Sequence, residues 1–244
     1  MARVLVPLPD TDFDVTEVAV PWRILRDAGH ELVFATERGE TPAADPRLLT
    51  GVVFGQLGAA PDACAHYREL VAAPELLTPI RWSDLVPTEF DALLLAGGHA
   101  PGMRQYLGSR ELQAHVAAFW SLDRPVGAIC HGVLLLARAR DAGGSVLRDS
   151  VTTCLPKYLE RSAYFATAWK LGRYYRTYPA YVEDEVRSAL HDPSRQFRRG
   201  PHTFGHRGTA TDHRGTFVVE DGRYVSARWP GDAYAFGRAL AARL

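Results

Sequence analysis

PVGAICHGVLLLARA, residues Pro125–Ala139, decides how the rest of the chain is read. It predicts a short apolar strand (Val126–Ile129), an abrupt turn at Cys130-His131-Gly132, and an apolar helix that begins at once. A strand that turns sharply into a helix lifts the residue at the bend out of the sheet and strains its backbone, and Gly132 lets the helix start close to the strand. The helix start offers unpaired N–H groups and the positive end of a dipole. A thiol held there is expected to have a lowered pKa, and the thiolate is the reactive form. The same N–H groups can hold an oxyanion on a carbonyl carbon that the sulfur attacks. The competing reading is a small buried hydrophobe, the usual state of a free cysteine.

Outward from the bend, the pattern is that of a parallel sheet. Arg3–Leu8 reads as the first strand, and Asp12 and Asp14 supply cap signals for a helix over about Val15–Ala28, closed by Gly29. Glu31–Thr36 is the next strand, and the short joints of this β-α-β opening argue for parallel pairing. A helix is predicted around Ala63–Ala73, a buried strand at Ala92–Ala96, and a helix over about Arg110–Leu122. Ser150–Cys154 reads as a short strand, Pro179–Leu190 as a helix, and Thr216–Glu220 with Tyr224–Arg228 as a hairpin turning at Asp221-Gly222. A last helix runs from about Asp232. The fold class is α/β, in one domain over residues 1–244, with a lid or insertion around 155–215.

Composition narrows the function. Apolar residues make up 47% and charged residues 23% of 244, and 28 basic side chains balance 28 acidic ones. That is ordinary for a soluble globular protein, and no net field favours nucleic acid or an anionic membrane. Three cysteines (Cys64, Cys130, Cys154) are too few and scattered for a disulfide framework, so a reducing cytoplasm is expected. No segment has the length and apolarity of a membrane span.

In an open parallel sheet, ligands bind beyond the carboxyl ends of the strands. Strand one leads into the helix carrying Glu17, the strand ALLLA ends at Gly97-Gly98-His99, and the elbow strand ends at Cys130. A carboxyl, a Gly-Gly turn and a thiol therefore share one edge. Gly97-Gly98 can bring N–H groups to a substrate oxygen, and a carboxyl beside a thiol can exchange protons while sulfur forms the bond. Glu17 is equally readable as a first-turn acid favoured only by the helix dipole.

At these residues the chain resembles the ThiJ/PfpI superfamily, relatives of class I glutamine amidotransferases. The resemblance rests on Glu17 followed by Pro21, AGHELVFAT (Ala28–Thr36), LLLAGGH (Leu93–His99), GAICHG (Gly127–Gly132) and DGRYVSARWPGDA (Asp221–Ala233). It implies a flavodoxin-like α/β/α sandwich with Cys130 as nucleophile, Glu17 hydrogen-bonded to it and His131 as the adjacent histidine. Length and PAYVEDEVRSAL (Pro179–Leu190) are most similar to the heat-shock chaperone and glutathione-independent glyoxalase branch. That branch completes a Cys-His-acid triad with a later carboxylate, for which Glu160 is the nearest match. Ala100 and Val133 depart from the Gly and Pro usual in the branch, and no counterpart of its auxiliary metal site is visible. Cys154 falls where other members carry a pocket histidine, so it is either a pocket-lining thiol or an inert one.

Two weaker signals remain. WKLGRYYRTYPAY (Trp169–Tyr181) is read as a lid that brings Tyr174 and Tyr175 to substrate, or as a surface packed on a partner subunit; a homodimer is expected. His202, His206 and His213 with Asp212 suggest a metal, but Gly and Pro break the alignment and a solvated loop is the better reading. The Arg-rich run Arg195–Arg214 lacks a nucleic-acid motif and is read as surface. The resulting expectation is a cofactor-free, metal-free enzyme acting on a small carbonyl compound, converting a 2-oxoaldehyde to a 2-hydroxy acid through a Cys130 thiohemiacetal. An amidase- or peptidase-type hydrolase, an enzyme of specialised metabolism with a larger substrate, and a chaperone or redox sensor are the rivals.

Overall fold

A computed structural model describes residues 1–54, 57–203 and 205–244. Seven strands form the central sheet: β1 Arg3–Pro7, β2 Glu31–Thr36, β3 Ile80–Arg81, β4 Ala92–Leu95, β5 Val126–Ile129, β6 Val218–Asp221 and β7 Tyr224–Ala227. Their order is β6-β7-β5-β4-β1-β2-β3, parallel throughout except for the antiparallel β6–β7 hairpin at one edge. Helices α1 Val15–Asp27, α2 Pro61–Leu70, α3 Arg110–Trp120, α4 Val133–Arg138, α5 Lys157–Leu171, α6 Val182–Ala189 and α7 Ala233–Ala241 flank it. α1 packs against α2 and α7, and α4 against α3 and α6. The result is the flavodoxin-like three-layer α/β/α sandwich.

The central strands lie in the middle layer, so they are apolar on both faces: every residue of β4 (ALLL) and β5 (VGAI) is buried. Register then places the site. Leu95 pairs with Ala128 and Ala227 with Ile129, so the chain leaves β4, β5 and β7 at nearly the same level. Gly97, Cys130 and Trp229 follow within one or two residues. The six-residue α4 is too short to be stable by propensity. Buried Leu134, Leu135 and Leu136 hold it, each worth roughly 1.5–3 kcal/mol of apolar burial.

Three predicted elements differ. Ser150–Cys154 forms no strand beyond a single Thr152–Phe197 bridge, because Thr153 N–H donates to Ser226 Oγ (3.0 Å) and the Thr152 hydroxyl bonds Tyr224 Oη (2.9 Å). The hairpin turns one residue later than expected: Asp221 still pairs with Tyr224, leaving Gly222-Arg223 as the loop, with Gly222 at φ +57°. The helix expected from Pro179 starts at Val182, where the Val182 N–H donates to Glu160.

Candidate active site

Ile129 is the last extended residue of β5 (φ −127°, ψ 141°), and Cys130 swings to φ +58°. A left-handed conformation at a residue with a Cβ costs of order 1–3 kcal/mol, and such outliers gather at functional sites. Here the surroundings enforce it. Residues Cys130–Gly132 make a single 3₁₀ turn and α4 begins at Val133. A Cβ on Gly132 would lie 2.2 Å from the Leu95 carbonyl oxygen and 2.7 Å from that of Ala96, so the helix start is pressed onto the end of β4.

Glu17 reaches this bend from α1. Asp14 caps the helix, accepting from Thr16 N (2.8 Å) and Glu17 N (3.0 Å), which sets the first turn facing the elbow. The Glu17 carboxyl is fully buried, and its Oε2 accepts the Gly97 N–H at 2.9 Å. A Cβ on Gly97 would meet His131 N at 2.7 Å, Glu17 Oε2 at 2.8 Å and Cys130 Cβ at 3.0 Å, which measures how tightly the three converge. Cys130 Sγ lies 3.5 Å from His131 Nδ1, and the His131 ring meets His99 edge to face at 4.7 Å. Among the described residues Glu17 Oε1 is buried without a hydrogen-bond partner at rest, and the neighbouring Cys130 thiol lowers the carboxyl's pKa against the larger effect of burial.

The electrostatics correct one expectation. The Cys130 thiol is pushed well up, first by burial and then by the charges of Glu17 and Asp14; the His131 N–H opposes this weakly. The bend gives a single 3₁₀ turn around a buried thiol, and burial outweighs its dipole. Glu17 is likewise raised well above the carboxylate range, first by burial and next by Asp14. The two groups therefore titrate as a pair: the first proton to leave yields one negative charge shared between sulfur and carboxyl, and the second leaves far less readily. His131 is held neutral by burial, aided by His99 and the Arg138 and Arg176 charges, and burial lowers His99 to about 4.

Asp14 is a second acid in the site, raised from 3.8 to about 6, chiefly by burial. Because the folded state binds this proton more tightly, the contribution of Asp14 to stability is fully present below pH 3.8 and is lost as pH rises through about 6, by roughly 3 kcal/mol at 1.36 kcal/mol per unit. Asp14→Asn keeps the capping oxygen and removes the charge. Urea unfolding should show the variant more stable than wild type by about 1–3 kcal/mol at pH 8, with the gap closing at pH 4. A gap independent of pH would contradict the assignment.

Above Cys130 lies a cavity of about 470 Å³. Asp14, Glu17, Gly98, His99 and Cys130 form its floor at the sheet edge, and α5 roofs it with Tyr158, Leu159, Ala163 and Ala166. Trp229 closes one side; its indole N–H is buried and, among the described residues, without a partner. The loop carrying His202 and Arg207 is tied down from below. Arg228 and Asp232, both wholly buried, form a bidentate pair (2.8 and 3.0 Å), and Arg228 also donates to the carbonyls of Pro201 and Gly215.

A model of ThiJ/PfpI family-like proteins matches residues 8–201. The chain belongs to the ThiJ/PfpI family. Among its relatives, a deglycase of Pyrococcus abyssi is 26% identical over 236 residues, covering 97% of this chain and 95% of that protein. Protein/nucleic acid deglycase 2 of Escherichia coli is 30% identical over 141 residues, covering 57% of this chain and 66% of its own. The crystal structure of glyoxalase III from Candida albicans superposes with a TM-score of 0.72 at 19% identity, over 100% of this chain and 97% of that one, a likeness of fold.

Within this family frame, several predicted residues sit elsewhere than the sequence suggested. Glu160 does not orient His131: its Oε1 accepts from Arg176 (2.6 Å) and its Oε2 from Val182 N (2.9 Å), so both oxygens are occupied. Among the described residues no carboxylate hydrogen-bonds His131. Cys154 is buried outside the cavity lining, with its thiol toward the Leu155 carbonyl (3.7 Å) and its pKa raised by burial. Gly97 is not free to hold an oxyanion, because Glu17 occupies its N–H; Gly98 lines the cavity, and among the described residues nothing accepts its N–H. Tyr175 lines the cavity and donates to Asp45 Oδ2 (2.7 Å), whereas Tyr174 lies outside it under Arg47. The trio His202, His206 and His213 does not converge: His202 stacks on Tyr158 in the cavity wall, His206 faces Asp212 and His213 meets Arg238. The donors that do converge are His99, Cys130 and His131, whose ligand atoms lie within 4.8 Å of one another, a set able to hold a soft divalent metal. Among the described residues no helix is long and apolar enough to cross a membrane. Asp14, Trp229 and Arg207 were not marked by sequence as site residues, and His202 only as a candidate metal ligand; for the aspartate the cap signal was the hint.

Proposed function

We propose that this chain is a cysteine-dependent enzyme acting on a carbonyl compound, with Cys130 as nucleophile and Glu17 as its proton partner. The observation that carries the reading is Cys130 at φ +58° on the floor of a cavity, with a buried carboxyl converging on it. Relatives named deglycases, and a structural neighbour named glyoxalase III, support chemistry of this kind.

For a 2-oxoaldehyde the steps are as follows. Sulfur adds to the aldehyde carbon, and the thiol proton passes by way of Glu17 to the new oxygen, giving a hemithioacetal. Glu17, with neutral His131 as second acceptor, moves the proton from C1 to C2 through an enediol. The product is a 2-hydroxyacyl thioester, which water hydrolyses to the 2-hydroxy acid while the thiol is restored. The Gly98 N–H and the Trp229 indole N–H, both in the cavity lining, would stabilise developing oxyanions. Amide or ester hydrolysis through an acyl-thioenzyme would use the same parts.

Methylglyoxal should be converted to lactate, and Cys130→Ala should lower kcat/KM by about 10³-fold or more. Cleavage of amides with no aldehyde turnover would move the reading to the hydrolase. Full activity in Cys130→Ser would exclude a catalytic sulfur and favour a chaperone or sensor.

A further inference from the structure

The cavity is far larger than a three-carbon aldehyde requires. At about 470 Å³ it falls within the range of about 300–1,000 Å³ found for sites that enclose drug-sized molecules. Its chemistry is also divided. The acids, imidazole and thiol lie at the sheet edge, on residues that follow β1, β4 and β5. The space above them is bounded by Leu155, Leu159, Ala163 and Ala166 on one side and by Leu48 and Val52 on the other. Among the described residues neither wall carries a lysine or arginine, and the polar α5 residues in the lining beside these apolar ones are Tyr158, Ser162 and Thr167, with Tyr158 Oη accepting from Thr203 N (3.3 Å) and Thr167 Oγ1 donating to the Ala163 carbonyl (2.8 Å). Arg207, the cation in the lining, stands over the indole of Trp229 and near Asp14 instead.

We infer that the site is built for a carbonyl compound bearing an uncharged aryl or branched-alkyl arm, with the arm seated between α5 and the Leu48–Val52 segment. This rests on the carbonyl reading given above and narrows its substrate class. A small hydrated aldehyde would leave the apolar walls wet, whereas an aryl arm removes them from water. Burial of one such group is worth roughly 10- to 100-fold in kcat/KM.

The test compares glyoxal, methylglyoxal, cyclohexylglyoxal and phenylglyoxal, each corrected for its intrinsic rate of adduct formation with free cysteine. Beside it runs a readout that needs no turnover: protection of Cys130 from iodoacetamide by benzyl alcohol against ethanol. The expected result is a rise of about 10- to 100-fold from methylglyoxal to phenylglyoxal, with benzyl alcohol protecting at far lower concentration. Ala163→Trp, which fills the arm from the roof, should cut the phenylglyoxal-to-methylglyoxal ratio by about 10-fold. Turnover that is flat across the series, with benzyl alcohol no better than ethanol, overturns the inference and leaves the carbonyl reading standing. No turnover of any aldehyde, with selective benzyl alcohol protection, overturns the carbonyl reading and supports the apolar arm site.

Discussion

Glu17→Gln is expected to lower kcat/KM for the best aldehyde substrate by about 10²–10⁴-fold, the span of a lost general acid–base group, without unfolding the protein. Glutamine keeps an oxygen for the Gly97 N–H, which wild-type Oε2 accepts at 2.9 Å. What it loses is the ability to take and return the sulfur's proton. The pH profile carries a second signature. Burial and Asp14 both raise the Glu17 carboxyl, so the acid limb of the wild-type profile should lie well above the ordinary carboxylate range, with activity present above it and lost below. Removing the neighbouring charge in Asp14→Asn should move that limb to lower pH. A limb near pH 4.5, or one unmoved by Asp14→Asn, would show that the shared-proton pair does not govern the rate.

Gly132→Ala should be the most damaging single methyl in the chain's active edge. The added carbon would stand 2.2 Å from the Leu95 oxygen and 2.7 Å from that of Ala96, both backbone atoms held in or beside β4. They cannot rotate away like a side chain, so α4 must lift from the sheet and Cys130 must leave its position. Overpacking of this kind costs about 1–3 kcal/mol and occasionally more, and the upper end is expected here. Gly143→Ala is the control: its nearest neighbour is the Asp141 side-chain oxygen at 3.3 Å in an exposed turn. Urea midpoints should separate the two variants clearly, and activity should vanish only in the first. Equal midpoints would mean that the elbow tolerates a looser helix start.

The elbow was legible because its causes are local. An apolar strand, a small residue after the cysteine and an immediate apolar helix are contiguous, and parallel topology brings Glu17 and Gly97 to the same edge. The thiol's protonation was not legible, because burial depends on distant segments: α5, the loop near His202 and Trp229 together close the cavity. Glu160 shows the same limit. Its distance along the chain from Cys130 suits a triad, yet Arg176 and the Val182 N–H claim both its oxygens, and no local pattern announces such competition. Tyr174 and Tyr175 are adjacent in an irregular segment, where period gives no guide to which one turns inward. Asp14 looked like a helix cap and is one; its second role as a cavity acid needed the floor of the site to be seen.

The most direct test of the sulfur–carboxyl pair is the rate of Cys130 alkylation by iodoacetamide as a function of pH, read by peptide mass in wild type and Glu17→Gln, with Cys64 as internal reference. The account predicts that Cys130 of Glu17→Gln ionises, and is alkylated, at lower pH than the wild type's, because the variant lacks the carboxylate charge that pushes the thiol up. With the carboxyl gone, burial and Asp14 are left to hold the thiol up, and its profile should move to lower pH. Superimposable Cys130 profiles in the two proteins would contradict it.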